Sequence, residues 1–420
     1  MQHMVATMSL LAGVRVLDLS RILAGPWATQ VLADFGAEVI KIERPGAGDD
    51  TRTWGPPYLQ DGAGHDTTES AYYLCANRGK RSLAIDFTCA QGQALIRGLA
   101  ARSDVLVENY KVGGLQKYGL DFASLQAVNP KLVYCSITGY GQDGPYAQRA
   151  GYDAAIQAIG GLMSVTGEPD GEPGAGPQKV GVAATDLMTG MYAATAILAA
   201  LRHAERTGVG QHIDLALLDV QVAWLANQAS NYLVGGVVPT RQGTAHPNIV
   251  PYQVMPAADG YFMLAVGNDA QYARLCEVLG APSLASDPRY ATNAARVAHR
   301  AELVPLLQAH LRTRPAAEWL DALDAVKVPA NPVNRIDQVF DDPQVRARGL
   351  RIELAHASGR DVPMVRNPAQ FSATPLRYGA AAPVLGQHTR AVLAELLGID
   401  EATLATLQAD GVIQAIAPTA

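Results

Sequence analysis

The sequence predicts an α/β protein with a large domain built on a parallel sheet and a smaller α+β domain. Three observations carry this. Apolar runs of strand length recur between residues 14 and 217 and alternate with helical stretches. The first of them reads strand–helix–strand, a unit whose two strands lie parallel. And 420 residues exceed what one simple hydrophobic core spans, so two domains are expected.

The elements follow in order. Residues 14–19 read as a buried strand. Pro26 sits where a helix starts, residues 27–35 continue it, and Gly36 ends it before a second strand over 37–43. Residues 82–86, 104–109 and 132–137 are further strands, with helical stretches near 90–101 and 121–128 between them, so the sheet is Rossmann-like. Asp186 stands at the mouth of a long helix that Gly208 and Gly210 break. Residues 212–217 are then expected to be the last strand of the sheet, followed by a helix over about 218–233. The character changes near Gly235. A strand over 260–266 and helices over 269–279, 300–313 and 316–323 mark the smaller domain. The resulting boundaries are 1–227 for the large domain, 228–340 for the small one, and 341–420 for a C-terminal return to the large domain.

Composition narrows the function. Apolar residues make up 49% and charged residues 17%, as in ordinary enzymes, and a net charge of −6 argues against a nucleic-acid partner. No apolar run approaches the roughly 18 residues of a membrane span; residues 191–201 are apolar but short. The first ten residues show neither a basic leader nor an Arg-rich presequence. Cys75, Cys89, Cys135 and Cys276 are scattered, as reduced thiols of a cytoplasmic protein would be. The turn over 20–26 holds a single glycine, with no GxGxxG and no Walker A motif, which counts against NAD and ATP.

Individual residues point further. Asp186 either caps its helix or does chemistry there; a helix N-terminus keeps a carboxylate ionised, and such an anion can attack a thioester carbonyl. Arg44, Arg52, Lys80, Arg81 and Lys117 cluster near predicted strand ends, where α/β sheets bind ligands, although such runs are often only solvated loops. Gly243 to His246 is either an ordinary turn or a place of close backbone approach to a ligand, with His246 a base or a surface residue. Tyr152 and Asp153 are either core packing or part of a site.

Residues 16–26, 35–49, 77–82, 107–109, 136–141, 181–190, 342–345 and 385–389 together resemble family III coenzyme A transferases over essentially the whole chain. The resemblance implies an interlocked homodimer acting on acyl-CoA and carboxylic acid substrates. No metal and no cofactor beyond the CoA thioester is implied. Asp186 would be the nucleophile, passing through a mixed anhydride to an aspartyl-CoA thioester. Leu23, Ala24, Arg44, Ile85, Asp86, Phe87, Thr88, Asn109, Tyr110, Lys111 and Lys117 would line the CoA site, with Tyr152 and Asp153 near the thioester. The loop after Arg241, with Gly243, replaces the family's glycine-rich loop but is not a run of glycines.

The same fold is implied for α-methylacyl-CoA racemases, which carry Gly-His-Asp where this chain has Gly151-Tyr152-Asp153. A tyrosine, with an ordinary pKa of about 10, replaces that base poorly, which favours transfer over racemisation. Residues 46–57, 243–246 and 249–253 look most like succinyl-CoA:glutarate and related dicarboxylate transferases. Formyl-CoA:oxalate and carnitine transferases are the alternatives. A dicarboxylate acceptor needs a cation for its distal carboxylate, and Arg52 and His246 are the candidates.

Overall fold

In the computed structural model, which describes residues 9–416, the apolar runs assemble into a seven-stranded sheet. Residues 1–8, most of the stretch read for a leader, and 417–420 lie outside the described residues. In chain order its strands are β1 (Arg15–Asp18), β2 (Glu38–Glu43), β3 (Lys80–Ile85), β4 (Val105–Glu108), β5 (Val133–Thr138), β6 (His212–Ala216) and β7 (Ile413–Gln414). They lie in the order β7-β3-β2-β1-β4-β5-β6. The first six are parallel, and β7 pairs antiparallel with β3. The C-terminal return therefore adds an edge strand, so residues 212–217 are not the last strand of the sheet.

Both faces of the sheet are covered, which is why its strands read as near-continuous apolar runs. Five helices of this part matter below: α1 (Ala24–Asp34), α2 (Ala90–Ala100), α3 (Asp153–Ile159), α4 (Ala184–Thr207) and α5 (Leu217–Ala223). One face buries Leu17, Ile40, Leu83 and Leu106 with Ile96 and Leu99 of α2 and with Val392 and Leu393 of the helix Thr389–Leu397. The other buries Val16, Val39, Val105 and Val133 with Ala28 and Leu32 of α1 and Ala193, Ile197 and Leu201 of α4. Each such aliphatic side chain contributes roughly 1.5–3 kcal/mol when fully buried.

With 24 residues, α4 is long and apolar enough to cross a membrane, beyond what the short run 191–201 suggested. Half of its most apolar window is buried within the fold, however, on α1 and the sheet. The helix expected over 218–233 is two helices, α5 and Ala226–Gly235; the break falls at Ala226, whose φ of 46° is left-handed.

The chain divides into two compact units. The first runs up to Gly161, takes Val180–Ala229, and resumes at Arg348. The second is Leu162–Lys179 with Ser230–Ala347. The excursion over 162–179 lies inside the large domain expected over 1–227. The second unit carries a three-stranded antiparallel sheet ordered Ala330–Pro332, Tyr261–Ala265, Tyr252–Pro256. Phe262, Leu264, Leu275, Trp319 and Leu323 form its core.

Beneath the carboxyl ends of β1, β2 and β3 lies a network of buried ions. Lys41 Nζ donates to Asp49 at 2.8 Å and to the Ser20 carbonyl at 3.0 Å. Lys80 Nζ donates to Asp18 at 3.1 Å and to the Pro26 carbonyl at 2.9 Å, and burial pulls its pKa down to about 8 against the pull of Asp18. Arg52 donates to both oxygens of Glu43 at 2.7 and 2.8 Å and to Glu69 at 2.6 Å, and is 4% exposed. This corrects its expected role. Arg52 is a structural ion whose guanidinium is fully engaged, not a free cation for a substrate carboxylate.

Removing that guanidinium leaves Glu43 and Glu69 buried without their counter-charge. Arg52→Leu is expected to cost about 3–5 kcal/mol, read as a lower denaturant midpoint. Arg351→Ala, which breaks an exposed pair with Glu353, should leave the midpoint in place. An unchanged midpoint in Arg52→Leu would contradict the structural role.

Candidate active site

The strand order reverses between β1 and β4, and at such a switch point the loops after the two strands part and leave a crevice. Two cavities occupy it. One, of about 440 Å³, is walled by the loops after β2, β3 and β4 and holds Arg44, Ile85, Asp86, Phe87, Thr88 and Lys117. The other, of about 200 Å³, holds Leu23, Ala24, Asn109, Tyr152, Asp153 and Asp186. Arg21, Tyr110 and Lys111 line both. The residues expected at the CoA site and the expected nucleophile thus line these two cavities of the first unit, which share Arg21, Tyr110 and Lys111.

The loop after β1 is held in an unusual backbone. Ile22 has a φ of 71°, which a β-branched residue adopts only under constraint. The constraint is visible on both sides. Asn109 accepts the Arg21 N–H at 2.9 Å and donates to the Arg21 carbonyl at 2.7 Å. Both carboxylate oxygens of Asp49 lie 3.3 Å from the Ile22 N–H. Asn109 is therefore a brace for the loop as well as a wall of the cavity. α1 starts at once after this loop, with no side chain capping its first turn.

In the larger cavity, Phe87 packs edge-on against Tyr110 and Tyr118, with centroids at 5.7 and 5.5 Å, and Lys117 stands 4.7 Å over the Tyr118 ring. Aromatic walls with cations at the rim suit a planar base and phosphates.

Asp186 is the third residue of α4 and not its cap; the capping position is Ala183, which offers no side chain. Asp153, in the first turn of α3, does that work instead. Its Oδ1 accepts the N–H of Thr185 at 2.8 Å and of Asp186 at 3.2 Å. Asp153 gets there because the chain before it passes against the end of β5. A Cβ on Gly151 would stand 2.4 Å from the Gly139 Cα, a separation no side chain permits. Burial, and then the negative charge of Asp153, push the Asp186 carboxyl up to about 7, although its place in the first turn of a helix favours the anion. Tyr72 feels this charge: burial, and then Asp186, push its phenol up to about 12.

His246 and Gly243 fall in the second unit. Gly243 has a φ of 59° and donates its N–H to the Gly167 carbonyl at 3.0 Å. His246 Nδ1 accepts the Asn248 N–H at 3.0 Å, and burial and Arg300 push the imidazole below its ordinary pKa. Both causes disfavour the positive charge that a distal carboxylate would need. The loop's organiser is Arg300, which donates to Gln242 and to the carbonyls of His246 and Pro247 at 2.9, 2.6 and 3.1 Å. Sequence reasoning missed Arg21, Tyr72, Gln157 and Arg300. Arg21 stands inside the resemblance segment 16–26 without being singled out there, and Tyr72, Gln157 and Arg300 stand in none of those segments, so their place in the fold distinguishes them.

The profile of CoA-transferase family III matches residues 11–389. The chain is 54% identical to a succinate–glutarate CoA-transferase of Agrobacterium fabrum, over 93% of this chain and 96% of that one. It is 44% identical to a human succinyl-CoA:glutarate CoA-transferase, over 96% and 90%. A solved structure, a CaiB/BaiF family protein from Brucella suis, superposes with a TM-score of 0.81 at 50% identity and covers 93% of this chain and 100% of that one.

A carboxyl titrating near neutrality is directly observable. A carbon-13 titration of labelled aspartates is expected to show one carboxyl with a midpoint near pH 7 that Asp186→Asn abolishes. Asp153→Asn keeps an oxygen for the two N–H groups but removes the charge, so that midpoint should fall towards the ordinary carboxylate range. A midpoint that stays or rises would refute the assignment of the shift.

Proposed function

This chain belongs to CoA-transferase family III, and we propose that it moves coenzyme A from succinyl-CoA to glutarate through a covalent intermediate on Asp186. The observation that carries the reading is the placement of Asp186 on the wall of the smaller cavity, which shares Arg21, Tyr110 and Lys111 with the aromatic and cationic cavity where the rest of a CoA thioester would lie.

The chemistry balances without an external co-reactant. The Asp186 carboxylate attacks the succinyl carbonyl and CoA thiolate leaves, giving a succinyl–aspartyl anhydride. The thiolate then attacks the aspartyl carbonyl, succinate departs, and an aspartyl-CoA thioester remains. Glutarate attacks that thioester, the thiolate leaves and returns to the glutaryl carbonyl, and the Asp186 carboxylate is regenerated with glutaryl-CoA. Each attack builds negative charge on a carbonyl oxygen. The uncapped N-terminus of α1 at Leu23 and Ala24 borders the same cavity and supplies backbone dipoles of the right sign.

Arg44, Lys111 and Lys117 hold the phosphates in this reading, and Phe87 and Tyr110 the base. Tyr152 is 66% exposed and borders the cavity of Asp186, on the side from which the acceptor enters. The enzyme acts as a homodimer. Supporting this, Leu233, Val234, Val237 and Val238 of the second unit are 78%, 89%, 71% and 70% exposed, an apolar strip of the kind that a second subunit covers. A cytoplasmic location belongs to the same reading and is supported by four free cysteines.

The test is a transfer assay that follows glutaryl-CoA formation from succinyl-CoA and glutarate. Asp186→Ala is expected to fold, bind CoA and make no product; retained turnover would refute the assignment. Lys111→Ala and Lys117→Ala each remove a charge-assisted contact and should raise KM for succinyl-CoA about tenfold or more with kcat largely kept. If KM is unmoved in both, the phosphates bind elsewhere.

A further inference from the structure

Behind Asp186 stands a chain of hydrogen bonds that the transfer chemistry does not itself use. Gln157 lies on α3 one turn beyond Asp153 and is fully buried. Its Nε2 donates to Asp153 Oδ2 at 2.6 Å, and its Oε1 accepts the Val180 N–H at 2.9 Å. The other oxygen of Asp153 accepts from the N–H groups of Thr185 and Asp186. A carboxylate on a short side chain turns readily about its last torsion. Pinning Oδ2 is what keeps Oδ1 aimed at the first turn of α4. The same amide also fixes the strand of chain that leads into that turn, through Val180.

We propose that Gln157 is a positioning residue of the transfer reaction: it orients the Asp153 carboxylate, which fixes the backbone that carries Asp186 at the thioester. The inference rests on Asp186 being the nucleophile. Gln157 touches no substrate and acts through Asp153. The titratable groups around it are Asp153 on its own helix, Asp186 on α4, and Tyr72 on the short helix Ala71–Cys75, whose phenol stays protonated near neutrality. From α5, Gln221 accepts the Thr185 hydroxyl at 2.6 Å and carries no charge.

The amide makes a sharp test possible. In Gln157→Glu, a carboxyl would face Asp153 at hydrogen-bond distance, and two carboxyl groups there must share a proton. While that proton is present, the new residue donates to Asp153 as Gln157 does. When it is lost, the two repel and the cap on α4 comes apart. The readout is the rate at which succinyl-CoA forms a CoA adduct on the enzyme, followed by quenched intact-protein mass spectrometry from pH 5 to 9. The wild type should rise with pH through the titration of Asp186 and then level off. Gln157→Glu should rise and then fall, a bell that a merely space-filling residue would not produce. Gln157→Leu, with no donor at any pH, should be slower about ten- to a hundredfold throughout, with KM for succinyl-CoA little changed. A Gln157→Glu profile parallel to the wild type overturns the inference, and that variant, the closest in size, decides if Gln157→Leu does not fold. No adduct on the wild type overturns the nucleophile reading and this one with it. A wild-type adduct with an unaltered Gln157→Glu profile overturns this one alone.

Discussion

The site depends on one carboxylate that performs no chemistry. Asp153 takes the backbone N–H groups at the start of α4, where Ala183 leaves them without a side-chain cap. A helix so capped from another element has its first turn held at a set distance from that element, and Asp186 rides on this turn. The same proximity puts a second negative charge beside Asp186 and, with burial, keeps its carboxyl close to neutrality. One contact thus sets the position of the residue and adds to the shift that burial begins. That contact requires the glycine pair Gly139 and Gly151, because any side chain at their crossing would push Asp153 away from the end of β5.

A second layer of the design is the buried ion network under β1, β2 and β3. Burying Lys41, Lys80 and Arg52 with Asp18, Asp49, Glu43 and Glu69 is not an efficient way to stabilise a core. What the network does is fix loops. Asp49 holds Lys41, caps its own turn through Thr51, and faces the strained Ile22. Glu43, at the end of β2, takes Arg52, the Ser82 hydroxyl and the Asp49 N–H. The crevice walls are loops, and loops move unless their polar groups are committed. Here they are committed to buried partners.

How much of this could be read from the sequence differs by element. The strands β1 to β5 were legible because burial makes each largely apolar, whereas β6, half exposed, reads as a strand by the alternation of Ile213 and Leu215 with His212 and Asp214. The two-residue β7 was not, since so short a strand has no period and exists only by pairing with β3. The helix pair around Ala226 read as one helix because propensity does not register a backbone reversal at an alanine. The residues around the crevice were found through resemblance to a family, and their clustering there is a property of the strand order. Arg52 shows the opposite failure. A charged residue in a loop reads as solvated or ligand-binding, whereas its burial depends on Glu69, seventeen residues away, and on the Pro383 carbonyl, 331 residues away. Gln157 was invisible for the same reason: an amide in a short apolar helix says nothing until its partners at 153 and 180 are in place.

The transfer depends throughout on Asp186 becoming covalently bound to coenzyme A. The most direct measurement is to mix the protein with succinyl-CoA, trap with hydroxylamine or borohydride, digest, and map the modified residue by mass spectrometry. One modified peptide, containing Asp186, is expected, and none in Asp186→Ala. A trapped product on another residue, or none on a folded protein that binds CoA, would contradict it.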